Sequence, residues 1–243
     1  MACATKTEKA TVDMNQGPAQ IYEQLLDAGE IHPEAAQAEA VAASQGLFER
    51  LLQPAEPKPG FFDRVFGRQP RKRPVRGLYF WGGVGRGKTW LMDLFYECLP
   101  FEQKRRMHFH RFMRHVHQSL ARLQGEPSPL RLIAAEFARD TRVLCFDEFF
   151  VSDITDAMIL AGLLEAMFDR GIALVATSNV EPKHLYENGL QRSKFLPAID
   201  LLYSQTEVLN VDGGTDYRLA VLRNAEIYHR FEQTCEDHGV SNI

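Results

Sequence analysis

Gly82, Gly87, Lys88 and Thr89 stand in the spacing glycine, four open positions, glycine, lysine, threonine. Those residue types at that spacing make a cradle for phosphate. Within Gly82-Gly83-Val84-Gly85-Arg86-Gly87-Lys88-Thr89, glycine lets the backbone take positive φ and turn its N–H groups toward the oxygens of a β-phosphate. A helix beginning near Lys88 adds the positive end of its dipole. Lys88 is placed to reach the β- and γ-phosphates, and the Thr89 hydroxyl to hold a magnesium ion.

A second group of oxygens belongs to the same chemistry. Asp147-Glu148 closes the apolar run Val143-Leu144-Cys145-Phe146, so both carboxylates lie at the C-terminal end of a strand, where open α/β sheets bind ligands. Asp147 suits ordering the ion held by Thr89. Glu148 suits polarising a water for in-line attack on the γ-phosphorus, and the pair favours hydrolysis over transfer to a metabolite. Thr177-Ser178-Asn179 ends the next strand at the same edge, where Asn179 can hydrogen-bond the γ-phosphate or the attacking water, the sensor role of ring ATPases. Arg192, in Gly189-Leu190-Gln191-Arg192-Ser193-Lys194, reads as an arginine finger reaching the γ-phosphate of a neighbouring subunit. Lys194 is the lesser candidate, and a plain surface arginine is the bland alternative. His108, His110, His115 and His117 cluster, but the first two alternate on a predicted strand and the last two stand two apart on a helix, so they do not converge. With no acid or thiol nearby to complete a set, no zinc is expected.

The elements that must position these residues follow from composition and periodicity. The chain has 243 residues, 45% of them hydrophobic, and a net charge of -4, enough for one large or two small folded units. That charge argues against a general nucleic-acid coat. No apolar run approaches the bilayer-spanning length of about 20 residues, the N-terminal residues read as no secretory signal, and the four scattered cysteines fit reduced thiols. The expected location is the cytoplasm.

Residues 1–52 read as a helical N-terminal region, with Ile21, Tyr22, Leu25 and Leu26 on one face and Pro33 in the first turn of an Ala-rich second helix. Residues 53–76 read as a Pro-rich basic linker. Its Arg64, Arg68, Arg71, Lys72, Arg73 and Arg76, beside Phe61, Phe62, Val65 and Phe66, suit an anionic surface such as the inner membrane or nucleic acid, or are merely solvated. Residues 77–218 alternate strand and helix, as in a parallel sheet covered on both faces. Strands are predicted leading into Gly82 and at 106–110, 143–146, 172–176 and 207–211; helices after Lys88 and at 112–123, 130–139, 155–169 and 185–202.

The motifs together form the pattern of an AAA+ ATPase, and longer runs are more specific. Gly82 to Asp93, His108-Phe109-His110-Arg111-Phe112-Met113, Cys145-Phe146-Asp147-Glu148-Phe149-Phe150-Val151-Ser152-Asp153-Ile154-Thr155-Asp156-Ala157-Met158 and Asn188-Gly189-Leu190-Gln191-Arg192 resemble the AFG-like ATPases, over about residues 22–228. The resemblance implies a P-loop AAA+ (ASCE) core with a five-stranded parallel sheet, an ATP hydrolase using Mg2+, and a homo-oligomer in the ATP state. For a bacterial member it implies action on the tubulin-like division protein FtsZ, whose polymers become less stable when ATP is present. The family pattern continues well past Asp216-Tyr217-Arg218-Leu219 into a lid over the nucleotide. Here residues 219–243 are a remnant of it whose tail, 230–243, is polar, so the lid is expected to be largely absent and turnover to be less secure than binding. Two other functions fit the same motifs: a loader acting on a nucleic-acid-bound partner, and a nucleotide-gated interaction protein without useful hydrolysis.

Overall fold

The computed structural model describes residues 16–53 and 75–213. Two helices come first, α1 (Pro18–Asp27) and α2 (Ala35–Leu52). Then strands and helices alternate: β1 (Gly77–Trp81), α3 (Lys88–Cys98), β2 (Lys104–His108), α4 (Phe109–Arg122), α5 (Pro129–Phe137), β3 (Val143–Asp147), α6 (Ile154–Phe168), β4 (Ala173–Ser178), α7 (Leu196–Gln205) and β5 (Thr206–Asn210). All pairings are parallel and the sheet order is β2-β3-β4-β1-β5. The expected five-stranded parallel sheet flanked by helices is therefore present.

Side chains alternate across a strand, and here the alternation divides the core in two. Tyr79, Leu144, Phe146, Leu174 and Ala176 face α4 to α7, where they meet Phe112, Ile133, Leu160 and Leu202. Leu78, Phe80, Val143, Cys145, Ala173 and Val175 face α1, α2 and α3, where they meet Tyr22, Leu47, Phe48, Met92 and Phe95. Each large apolar side chain so buried stabilises the fold by about 1.5–3 kcal/mol. β3 and β4 are buried along their whole length, which is why they read as unbroken apolar runs. Gly77 is required by proximity: a Cβ there would stand 1.8 Å from the Leu174 carbonyl oxygen.

The helices follow their periodicity. In α2, Ala40, Val41, Ser44, Leu47, Phe48 and Leu51 form the buried stripe, and in α4 Phe109, Phe112, Met113 and Val116 repeat at helical spacing. Asp153 caps α6, accepting from Thr155 N at 2.6 Å, a contact worth about 1 kcal/mol. In α1, Tyr22 is buried while Ile21, Leu25 and Leu26 are half-buried. Pro33 precedes the N-cap Glu34 instead of lying inside the first turn.

Two sequence expectations are corrected. The second strand is Lys104–His108 instead of 106–110, and His110 lies on α4. This is an edge strand whose residues are mostly charged. Lys104 donates to the carbonyls of Tyr96 (2.7 Å) and Leu99 (3.0 Å), so polar contacts replace the apolar alternation that would have marked it. Residues 185–202 are not one helix. Two 3-10 turns, Pro182–His184 and Arg192–Lys194, precede α7, and Tyr186 and Gln191 take positive φ of 54° and 55°, which no α-helix accommodates. Most of the basic linker and the tail beyond 213 lie outside the described residues.

Candidate active site

β1 carries the phosphate loop outward from between β4 and β5. Gly82, Gly85 and Gly87 have φ of 150°, 82° and 80°, the region that glycine enters at little cost. Gly87 is the left-handed N-cap of α3. A Cβ on it would approach the Gln37 side chain of α2 to 2.9 Å, so the N-terminal helices press directly on the loop. Gly83 and Gly85 are half-buried and Val84 stands exposed at the tip. Arg86 Nε lies 2.8 Å from Asp212 Oδ1, tying the loop to the chain just after β5.

Lys88 is buried, and its Nζ donates to the carbonyls of Gly82 at 2.7 Å and Gly83 at 2.6 Å. Burial lowers its pKa; Asp212 opposes that shift and Arg86 adds to it. A cation held this way has only neutral carbonyls as hydrogen-bond partners, and an anionic oxygen makes a stronger bond than they do. Thr89 lies exposed in the first turn of α3.

Asp147 ends β3, 8% exposed. Arg106 of β2 holds it with two hydrogen bonds, Nε to Oδ2 at 2.8 Å and Nη2 to Oδ1 at 3.2 Å. Arg106 Nη1 also donates to Asp93 of α3. Thr89 and Asp93 are four residues apart on one helix, hence on the same face one turn from each other. The face of α3 that carries Thr89 is therefore turned toward Asp147. A threonine hydroxyl and a carboxylate are hard oxygen donors of the kind Mg2+ takes, so the donor set fits that ion.

Glu148 breaks the backbone rule. Its φ is 55°, a left-handed conformation that raises the energy of a non-glycine residue by about 1–2 kcal/mol. β4 holds it there: Glu148 N donates to Thr177 Oγ1 at 3.3 Å, Phe149 N to Thr177 O at 2.7 Å, and Ser178 Oγ to Phe149 O at 2.7 Å. The turn aims the carboxylate outward, 78% exposed and 4.0 Å from His108 Nδ1. Thr177 and Ser178 pair with Phe80 and Trp81, so exposed Asn179 comes level with Gly82 at the same rim.

Arg192 takes part in none of these hydrogen bonds. It lies in the second 3-10 turn, half-buried, and its Nη2 donates to the Lys183 carbonyl at 2.5 Å. Its Nε has no hydrogen-bond partner among the described residues. Lys194 is exposed nearby.

The histidines make separate contacts. The His108 and His110 rings stack with centroids 5.7 Å apart, His115 meets the edge of Phe137, and His117 Nε2 lies 2.6 Å from Asp156 Oδ1. Among the described residues no three His, Cys, Asp or Glu side chains group as a metal site. Burial pushes the Cys98 and Cys145 thiols up to about 12. Of the basic linker residues, Arg76 is described, and it donates to the carbonyls of Thr206 and Tyr203.

Sequence reasoning missed Arg106, Asp93 and the hydroxyl of Thr177. Arg106 is hidden in the run Lys104-Arg105-Arg106, which reads as surface. The available signal for Thr177 was a small hydroxyl at the end of an otherwise apolar strand, one position from the candidate Asn179.

The cell division protein ZapE of Escherichia coli strain K12 is 53% identical over 219 residues, spanning 87% of this chain and 58% of that protein. Lactation elevated protein 1 homolog B of Danio rerio is 42% identical over 185 residues, spanning 71% of this chain and 37% of its own. The chain thus spans less than three fifths of the length of these relatives. Among solved structures, domain III of the Thermotoga maritima replication initiation protein DnaA superposes with a TM-score of 0.55 at 15% identity, covering 83% of this chain and 73% of that one. That likeness is one of fold, and the fold is a P-loop AAA+ core. Residues 16–240, which include the loop at 82–89, the acids at 147–148 and the strand end at 177–179, match the model of the AFG1-like ATPases, and the chain belongs to that family.

Proposed function

We propose that this protein binds ATP with Mg2+ and hydrolyses it to drive a step of cell division. One observation carries the reading: Lys88 is buried in a loop of left-handed glycines, at the sheet rim where Asp147 and Glu148 emerge from β3, with β4 between that strand and β1. The loop N–H groups and Lys88 hold the β- and γ-phosphates. Thr89 and Asp147 hold Mg2+, which when bound neutralises charge on the phosphate oxygens. Glu148 takes the proton of the attacking water, and Asn179 orients that water or the γ-phosphate. Arg192 acts on the γ-phosphate of an adjacent copy, so hydrolysis needs a homo-oligomer.

The name of the 53% identical relative supports the cell-division setting. The finer reading, that the partner is FtsZ and its polymers lose stability in the presence of ATP, rests on the resemblance of the motifs. Residues 77–218 are proposed as the nucleotide-binding unit, with 1–52 as its helical lead-in and the basic linker meeting the inner-membrane surface.

Phosphate release from Mg-ATP and sedimentation of FtsZ filaments with and without ATP test both levels. Lys88→Ala abolishes Mg-ATP binding, and Glu148→Gln keeps binding and stops hydrolysis. Turnover in Glu148→Gln equal to that of the unaltered protein would remove Glu148 from its role. Filament mass that ignores ATP would remove FtsZ as the partner and leave the ATPase intact.

A further inference from the structure

Arg106 links parts of the site that none of the motifs mention. It occupies the middle of edge strand β2, opposite Cys145 in register. Its Nε and Nη2 grip both oxygens of the buried Asp147 at 2.8 and 3.2 Å, and its Nη1 donates to Asp93. The Asp93 side chain is 20% exposed, that of Asp147 11%, and that of Arg106 27%, so all three are largely withdrawn from water. Burial alone would lower the Arg106 pKa, but its hydrogen bonds to Asp147 and the field of Asp93 more than offset this and push it up. The guanidinium stays charged throughout the working range of the protein.

Charge and lone pairs then decide what the cluster can do. Two carboxylates and one guanidinium sum to -1 (-1 -1 +1), with the positive group between the acids. Without it, two withdrawn carboxylates at the rim would form a natural site for a bare divalent cation, since hard cations take carboxylate oxygens. With it, such a cation meets a fixed positive charge at hydrogen-bond range. Each carboxylate oxygen has two lone pairs. The fork engages one on each oxygen of Asp147, fixes the plane of the group, and leaves the second free for a further ligand.

We propose that Arg106 is the positioning residue of the metal site: it orients Asp147 and withholds Asp147 and Asp93 from free divalent cations, so that the ion enters with a triphosphate and not alone. The proposal rests on the Mg2+-nucleotide reading above and assigns to Arg106 a part that the loop and the acid pair leave open. It acts through Asp147 and does not touch the phosphates.

The test reads binding of Mn2+, a paramagnetic substitute for Mg2+, to the full chain without nucleotide, by the loss of the free-ion electron spin resonance signal. Binding of a fluorescent ATP analogue is followed in parallel, in EDTA and across a Mg2+ titration. Arg106→Gln binds Mn2+ without nucleotide at least about tenfold more tightly than the unaltered chain, because removing one unit charge at this range is worth more than that even in a high dielectric. Arg106→Lys keeps the charge but lacks the fork, so its nucleotide-free Mn2+ binding stays weak while more Mg2+ is needed to half-saturate analogue binding.

Equal nucleotide-free Mn2+ affinity in the unaltered chain and a folded Arg106→Gln overturns the proposal. If the Gln variant fails to fold by circular dichroism, Arg106→Lys decides, and an unchanged Mg2+ requirement there overturns it. An unaltered chain that binds no analogue with or without Mg2+ overturns the nucleotide reading instead, a result separable from the Mn2+ comparison because that is made without nucleotide.

Discussion

Replacing Glu148 by glycine should make this protein more stable while ending its chemistry. At φ 55°, the left-handed backbone raises the energy of an L-residue by about 1–2 kcal/mol. Glycine does not suffer that strain, but its freer unfolded chain removes about 0.5–1 kcal/mol of the gain. The side chain itself contributes little to stability: it is 78% exposed, and its nearest charged partner, His108 Nδ1, is 4.0 Å away, a surface pairing that solvent screens. The net expectation for Glu148→Gly is a gain centred on about 0.75 kcal/mol, between about 0 and 1.5 kcal/mol. For a chain of this length the central figure raises Tm by roughly 1.5–3 °C.

Glu148→Ala is the necessary companion, because it removes the same carboxylate and keeps a Cβ in the left-handed position. Urea unfolding of both variants, followed by circular dichroism, isolates the backbone effect as the difference between them. Glu148→Gly should exceed Glu148→Ala in stability, and both should lose ATP hydrolysis. A glycine variant no more stable than the alanine variant would refute the idea that Thr177 and Ser178 hold Glu148 in a strained turn. It would imply that the turn is relaxed in solution.

Gly77→Ala should destabilise the sheet by about 2–3 kcal/mol in urea unfolding, in the upper range for overpacking, since its Cβ would meet the Leu174 carbonyl oxygen at 1.8 Å; unchanged stability would deny that approach. Burial lowers the Lys88 pKa below its ordinary 10.5, so between the folded and unfolded values the folded chain binds fewer protons and stability rises with pH. The stability of the unaltered chain relative to Lys88→Met should therefore increase as pH climbs through the lowered value toward 10.5, and a flat difference would count against it. Cys98 and Cys145, whose thiols burial pushes up to about 12, should resist alkylation at pH 8 in the native state, as read by peptide mass mapping; rapid modification of either would show that the core opens there.

The parts of this fold legible in the sequence were those where one physical requirement dominates the choice of residue. Gly82 and Gly87 must adopt positive φ, and Leu144 and Phe146 must be apolar on one face as Val143 and Cys145 are on the other, so loop and central strands could be read directly. The sequence misplaces β2 because its residues answer to three requirements at once: edge exposure, the carbonyls at the C-terminal end of α3, and the acids of the metal site. The Arg106 contact joins residues 41 apart in the chain to Asp147 and 13 apart to Asp93, and no periodicity encodes such a meeting. Residues 185–195 carry apolar residues at near-helical spacing, yet the turns at Tyr186 and Gln191 prevent the helix. The strand order is likewise invisible locally, because it depends on which crossovers return to the sheet and where.

That order has a consequence for how the molecule is made. β1 lies between β4 and β5, the last two of the described strands to be synthesised, whereas β2 and β3 can pair as soon as both have emerged. Among the described strands, the one that carries the phosphate loop is thus the earliest to leave the ribosome and among the latest to find partners, and contacts so distant in sequence form slowly. Until Ala173–Ser178 and Thr206–Asn210 arrive, both edges of Gly77–Trp81 are open to pairing with other chains. A nascent chain paused before residue 173 would present this apolar strand unprotected, so this protein should depend on chaperones most during that interval of translation.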